Sequence, residues 1–208
     1  MKKLIIFDLD GVLINSRELH YESLNQALLQ VGHRYVIGRE ENFTTYDELN
    51  TTAKLELLAK NKGLSRDLFD DVWKNKQEIT FELIKRFPKD TKLIDICQKL
   101  KQLNYSISVA TNSIRETAKL ALISIGIMEY VDLWVTSQDV FREKPYPEMY
   151  WKCMSTVGAL PKHTIVVEDS HIGRQGALNS GAHLCPVEDT WDVTWSKIYE
   201  KIKEVESL

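Results

Sequence analysis

Short apolar runs rich in branched residues alternate along this chain with longer stretches of helical period. The runs are Lys3–Phe7, Tyr105–Ala110, Val131–Val135, Thr164–Val167 and, more weakly, Ala182–Val187. Their shortness and branching predict buried strands. Between them, Asp95–Leu103 places Ile96, Leu100 and Leu103 at helical spacing. Ile114–Ile125, Glu148–Val157 and Ile172–Ser180 are followed by Gly126, Gly158 and Gly181, each a helix stop. Strand and helix in alternation predict an α/β fold, a parallel sheet covered by helices.

Residues 16–87 break the alternation with helical patterns and no convincing strand. Asn15 is placed to cap a helix, with Glu18 at the capping-box position. That helix buries Leu24, Ala27, Leu28 and Val31 and stops near Gly32. A second is expected from about Asp47 to Lys62, ending at Gly63. Ser65 is placed to cap a third, with Phe69, Val72, Trp73, Ile79, Leu83 and Phe87 on one side. No proline precedes Pro88, so long helices can run uninterrupted there. The organisation expected is a core of residues 1–14 plus 88–208, carrying an inserted helical domain of residues 15–87. A cleft is expected where insert and sheet face each other.

Composition narrows the function classes. Of 208 residues, 43% are hydrophobic and 27% charged, which excludes disorder as an overall description. Lys plus Arg number 27 against 30 Asp plus Glu, without the basic excess of a nucleic-acid binder. No apolar run approaches a membrane span, and the opening Met1-Lys2-Lys3 and its short apolar run, broken by Asp8, do not read as a signal peptide. Cys97, Cys153 and Cys185 are too far apart for a metal motif and odd in number. A reducing, cytoplasmic location is the expectation.

Open parallel sheets bind ligands beyond the carboxyl ends of their strands, and chemistry-bearing residues recur there. The first strand ends in Asp8-Leu9-Asp10-Gly11, and the second in Thr111-Asn112-Ser113. Lys144-Pro145 follows the third, and Glu168-Asp169-Ser170 ends the fourth. Singly, each has a plain structural account: a turn, a helix cap, a solvated loop lysine, acids at a helix N-terminus. Together they suit phosphoryl transfer. Asp8 and Asp10 share a side of extended chain, and two adjacent carboxylates repel unless a cation or proton lies between them. Asp8 would attack phosphorus, and Asp10 would serve as acid and then base. Thr111 and the Asn112 backbone would donate to phosphate oxygens, and Lys144 would supply positive charge. Mg2+ would be held by Asp8, Asp169 and a backbone carbonyl near Asp10.

With these residues in view, the chain resembles the haloacid dehalogenase superfamily in its phosphatase and phosphomutase branch. The residues that carry the likeness are Asp8-Leu9-Asp10-Gly11-Val12, Ala110-Thr111-Asn112-Ser113, Lys144-Pro145-Tyr146-Pro147-Glu148, and Val167-Glu168-Asp169-Ser170-His171-Ile172-Gly173. The resemblance implies a Rossmann-like core, a small helical cap inserted after the first motif, and Mg2+. It implies Asp8 as nucleophile, Asp10 as acid and base, Thr111 and Lys144 at the phosphate, and Asp8, Asp10 and Asp169 at the metal, with Glu168 assisting. The dehalogenases proper lack the second aspartate, so Asp10 points to the phosphate-handling members. The expected activity is Mg2+-dependent hydrolysis of a small phosphorylated molecule, a sugar phosphate or nucleotide, through an aspartyl-phosphate.

A sugar phosphomutase is the alternative. His20 resembles the cap-hinge histidine of β-phosphoglucomutases, and Lys76 falls near their cap lysine. The stretch Phe43–Glu48, however, lacks the arginine those enzymes use for phosphate. A plainer account hydrogen-bonds His20 in the core and lets Lys76 snorkel. A phospho-accepting signalling domain is disfavoured by the chain length and by the position of Asp8 on the first strand, and a non-catalytic ligand-binding relative by its filled catalytic positions. Arg17, His20, Tyr46 and Lys76 are the residues expected to set selectivity. Trp191–Trp195 is read as the apolar side of a last helix.

Overall fold

The computed structural model describes residues 2–46 and 49–207. They form two compact units, one from the described residues of Met1–Asn15 and Phe87–Leu208 and the other from Ser16–Arg86. The first is built on a five-stranded, all-parallel sheet in the order β3-β2-β1-β4-β5. Its strands are β1 (Lys2–Phe7), β2 (Tyr105–Ala110), β3 (Leu133–Val135), β4 (Ala159–Glu168) and β5 (His183–Pro186). β1 lies in the middle because its sequence permits nothing else: Leu4, Ile5, Ile6 and Phe7 are all buried. Burying four such side chains contributes about 1.5–3 kcal/mol each. Phe7 pairs with Val109 of β2 and Val167 of β4, so three adjacent strands end within one residue of each other, just before Asp8, Thr111 and Asp169.

In the second unit, α1 (Ser16–Val31) packs on α4 (Phe69–Ile84), with α2 (Arg39–Glu41), a π-helical turn Asn42–Tyr46 and α3 (Thr51–Lys62) alongside. Asn50 caps α3 by accepting from the Ala53 N–H, and Gly63 ends it in the left-handed conformation, φ 69°. Among the described residues this unit contains no strand. The core unit carries α5 (Thr91–Gln102), α6 (Arg115–Ser124), α7 (Glu148–Val157), α8 (His171–Asn179) and α9 (Trp195–Glu206). Among the described residues no helix is long and apolar enough to cross a membrane, and the three cysteines are buried and unpaired.

Several sequence expectations change. The predicted start of the second helix at Asp47 lies outside the described residues. α5 starts four residues before Asp95, because Asp90 accepts from the Leu93 N–H and caps it. β3 is shorter than Val131–Val135: Met128–Tyr130 forms a 3-10 turn, and the Asp132 carboxylate takes the Ile107 N–H, leaving regular pairing to begin at Leu133. β4 extends back to Ala159, with a register shift against β1 that apolar content does not signal. Ser65 precedes a 3-10 turn, Arg66–Leu68, and makes no capping bond. On α4 the buried positions are Val72, Lys76, Thr80 and Ile84, one row at i, i+4 spacing, while Trp73 is 42% exposed. Lys76 therefore does not snorkel. Trp191 is exposed in a 3-10 turn, Thr190–Asp192; α9 begins only at Trp195 and buries Ile198, Ile202 and Val205.

Candidate active site

Asp8 follows β1 directly, and its N–H still donates to Val167 O at 3.0 Å, holding it to the end of β4. Leu9 turns into the core and is fully buried. The chain then folds tightly, with Gly11 N–H donating to Ile14 O at 2.8 Å. Gly11 has φ +82°, and a Cβ there would lie 2.0 Å from Asp169 Oδ2. Glycine is thus required twice, for backbone conformation and for the close approach of Asp169. At Gly173, in the first turn of α8, a Cβ would lie 1.5 Å from Glu168 Oε1. These two glycines make the space the acids occupy.

Lys144, from the loop between β3 and α7, reaches into this space. Its Nζ donates to Asp8 Oδ1 at 2.7 Å and to Glu168 Oε1 at 2.8 Å, with side-chain exposures of 3, 8 and 0% for the three residues. Glu168 also accepts from the N–H groups of Asp169 at 2.8 Å and Ser170 at 3.3 Å, at the start of α8, and from the Tyr150 hydroxyl at 3.5 Å. Tyr150 lies under the ammonium, 5.5 Å from ring centroid to Nζ. Asp10 points to the β2 side, accepting from Ser113 Oγ at 2.7 Å and Thr111 Oγ1 at 3.4 Å. Thr111 Oγ1 in turn accepts from the Ser113 N–H at 3.0 Å.

The acids of the cluster outnumber its one ammonium. Burial, then Glu168, push the Asp8 carboxyl well above the usual aspartate range, and Lys144 offsets only part of this. Burial works against the Lys144 ammonium, but Asp8 and Glu168 outweigh it and hold its pKa above the usual lysine value. Asp169 is pushed up to about 7 by burial and by Glu168. One ammonium thus faces three acids whose oxygens, one from each of Asp8, Glu168 and Asp169, lie within 4.8 Å of one another. Asp169 Oδ1 is buried without a hydrogen-bond partner. An all-oxygen set of acids crowded closely enough to resist ionising together, with one oxygen unsatisfied, fits a hard divalent cation, which would let all three ionise.

The structure brings together Asp8, Asp10, Thr111, Asn112, Lys144, Glu168 and Asp169. The Asp10 carboxylate is not in the acid trio but on the hydroxyls of β2's trailing loop. Asn112 turns its side chain to the main chain of Lys144. In the helical unit, Lys76 is 6% exposed, with Nζ 3.5 Å from His20 Nδ1, and Arg17 is exposed. Tyr46 does not meet its expectation: it is fully buried in the apolar cluster with Leu24, Leu28, Leu55 and Leu58, where its ring serves packing. Sequence reasoning missed Ser113 and Tyr150 as supports. Ser113 stood within a recognised motif without a role of its own, whereas Tyr150 lay in the helix expected over Glu148–Val157 with nothing to single it out.

Sheet and site together define an enzyme of the parallel α/β type, with acids and a lysine gathered beyond the strand ends. The family model for haloacid dehalogenase-like hydrolases matches residues 5–187, and the chain belongs to that family. Pyrophosphatase PpaX of Bacillus cereus is 26% identical over 197 residues, covering 89% of this chain and 83% of the relative. Among solved structures, β-phosphoglucomutase from Clostridium difficile superposes with a TM-score of 0.78 at 20% identity, covering 100% of both chains. A variant of CbbY from Rhodobacter sphaeroides, in complex with xylulose-1,5-bisphosphate, gives 0.77 at 20% identity, covering 89% of this chain and 86% of that one. These two likenesses show the shared fold.

Proposed function

We propose that this hydrolase is a Mg2+-dependent phosphatase acting on a small phosphorylated metabolite of the sugar-phosphate or nucleotide class. The observation that carries the reading is Asp8, a buried carboxylate at the end of the central strand, gripped by Lys144 at 2.7 Å and followed two residues later by Asp10. In this reading an Asp8 oxygen attacks phosphorus, the bond from phosphorus to the substrate oxygen breaks, and Asp10 gives its proton to that oxygen. Water then attacks the aspartyl-phosphate, Asp10 takes its proton, the Asp8–phosphorus bond breaks, and phosphate leaves. Lys144 and Thr111 hold charge and hydrogen bonds on the phosphoryl oxygens. Asp8 and Asp169, with Glu168 behind them, would hold the divalent ion, which supplies the positive charge that lets a carboxylate approach an anionic phosphate. The phosphorylated ligand of the CbbY structure, on a like fold, supports the substrate class. Selectivity is assigned to the helical unit, through Arg17 and the His20–Lys76 pair.

The test is phosphate release from a panel of phosphomonoesters with Mg2+. Turnover of at least one is expected, and Asp8→Asn should abolish it while leaving the fold intact. A panel without release, or a variant with retained activity, refutes the proposal. The approach of Lys76 to His20 favours a second reading, a sugar phosphomutase. That enzyme would give isomerised product with little free phosphate and would be stimulated by a bisphosphate.

A further inference from the structure

The ammonium of Lys144 meets Asp8 and Glu168 at the end of a long, rotatable side chain, so its position depends on where its own backbone is fixed. That backbone lies in a loop without regular structure, between Asp139 and Glu148. Upstream, the Glu148 carboxylate accepts from the N–H groups of Phe141 at 2.8 Å and Arg142 at 2.9 Å. At Lys144 itself the N–H donates to Asn112 Oδ1 at 3.1 Å, and Asn112 Nδ2 reaches back to Lys144 O at 3.5 Å. The side-chain amide of Asn112 thus pairs with both polar groups of one residue, as a neighbouring strand would. Asn112 sits next to Thr111, whose N–H is held by Val135 O at 3.0 Å, so the clamp is anchored to the sheet.

We propose that Asn112 is a positioning residue: its side-chain amide clamps the main chain of Lys144 to the end of β2 and so sets where the ammonium meets Asp8. A backbone contact from Asn112 to phosphate is compatible with this, since the clamp uses only the side chain. The effect on rate rests on the phosphoryl-transfer reading; the clamp itself does not. A charge that must meet a developing transition state is sensitive to small displacements, and misplacement by about 1 Å costs about 10²-fold.

The test is Asn112→Ala, a truncation of a half-buried residue. By NMR, hydrogen exchange of the Lys144 amide should quicken at least about tenfold. With p-nitrophenyl phosphate and Mg2+, kcat should fall about 10–100-fold while KM stays within about threefold. Made on a Lys144→Ala background, the same truncation should change kcat by less than about twofold, because no ammonium remains to be positioned. Unchanged amide exchange overturns the clamp. A kcat loss that persists undiminished without Lys144 overturns the positioning role and makes Asn112 a direct phosphate contact. Wild-type protein inert on p-nitrophenyl phosphate and on the wider panel counts against the phosphatase reading, and amide exchange still decides the clamp.

Discussion

Replacing Gly173 by alanine sets two effects of opposite sign against each other. Gly173 lies inside α8 and has no positive φ, so helix propensity favours alanine there by about 0.5–1 kcal/mol. The new Cβ, however, would lie 1.5 Å from Glu168 Oε1 and 2.1 Å from Glu168 Cδ. The carboxylate must retreat by about 2 Å to regain ordinary van der Waals distance. It is fully buried, and at 2.8 Å from Lys144 it cannot move that far and keep the ion pair. Losing one partner of a buried pair costs about 3–5 kcal/mol. The net loss is then about 2–4 kcal/mol, a fall in Tm of about 5–15 °C for a chain of this size. Circular dichroism melts with and without Mg2+ measure it, and phosphate release gives the functional counterpart, expected to drop about 10²-fold in kcat. A Gly173→Ala protein that melts at or above the wild-type temperature with undiminished kcat would refute the reasoning, because helix propensity would then outweigh the carboxylate's placement.

Asp169 ties stability to pH. Raised to about 7, it holds a proton in the folded metal-free protein that the unfolded chain, at the usual 3.8, has released. Its stabilising contribution is full below about pH 4 and is lost as pH rises through 7. Mg2+ should therefore raise Tm more at pH 8 than at pH 5.5, and calorimetry in buffers of different ionisation enthalpy should show proton release on binding near pH 7; equal Tm gains and no proton release would count against the acid trio as the cation site. Ser113→Ala removes the 2.7 Å donor to Asp10 and should lower kcat about tenfold with KM little changed; steady-state kinetics equal to wild type would show that Asp10 needs no such support. Gly11→Ala combines left-handed backbone strain with a Cβ 2.0 Å from Asp169 Oδ2, and calorimetric titration should find Mg2+ affinity weakened at least about tenfold.

The division between what the sequence revealed and what it withheld follows from where each residue's reason for being lies. Asp8, Lys144 and Asp169 each had a plain local account and were legible only as a set, because polar clusters recur at the ends of successive apolar strands. The sheet was legible for the related reason that β1 is apolar on both faces and can only be central. Trp73 was misjudged because hydropathy ranks tryptophan high for burial, whereas packing of α4 on α1 buries the row Val72, Lys76, Thr80 and Ile84. The Asn112–Lys144 clamp joins residues 32 apart, and no periodicity relates them. The Asp132 bond that shortens β3 likewise depends on Ile107, 25 residues away. Gly173 is the extreme case: it closed a quoted motif without a role, and its missing side chain becomes informative once Glu168 is seen in the space a methyl group would fill. Charged residues that recur at the ends of apolar strands announce the chemistry together, while those that leave room for it or hold its backbone are recognised by what lies next to them in three dimensions.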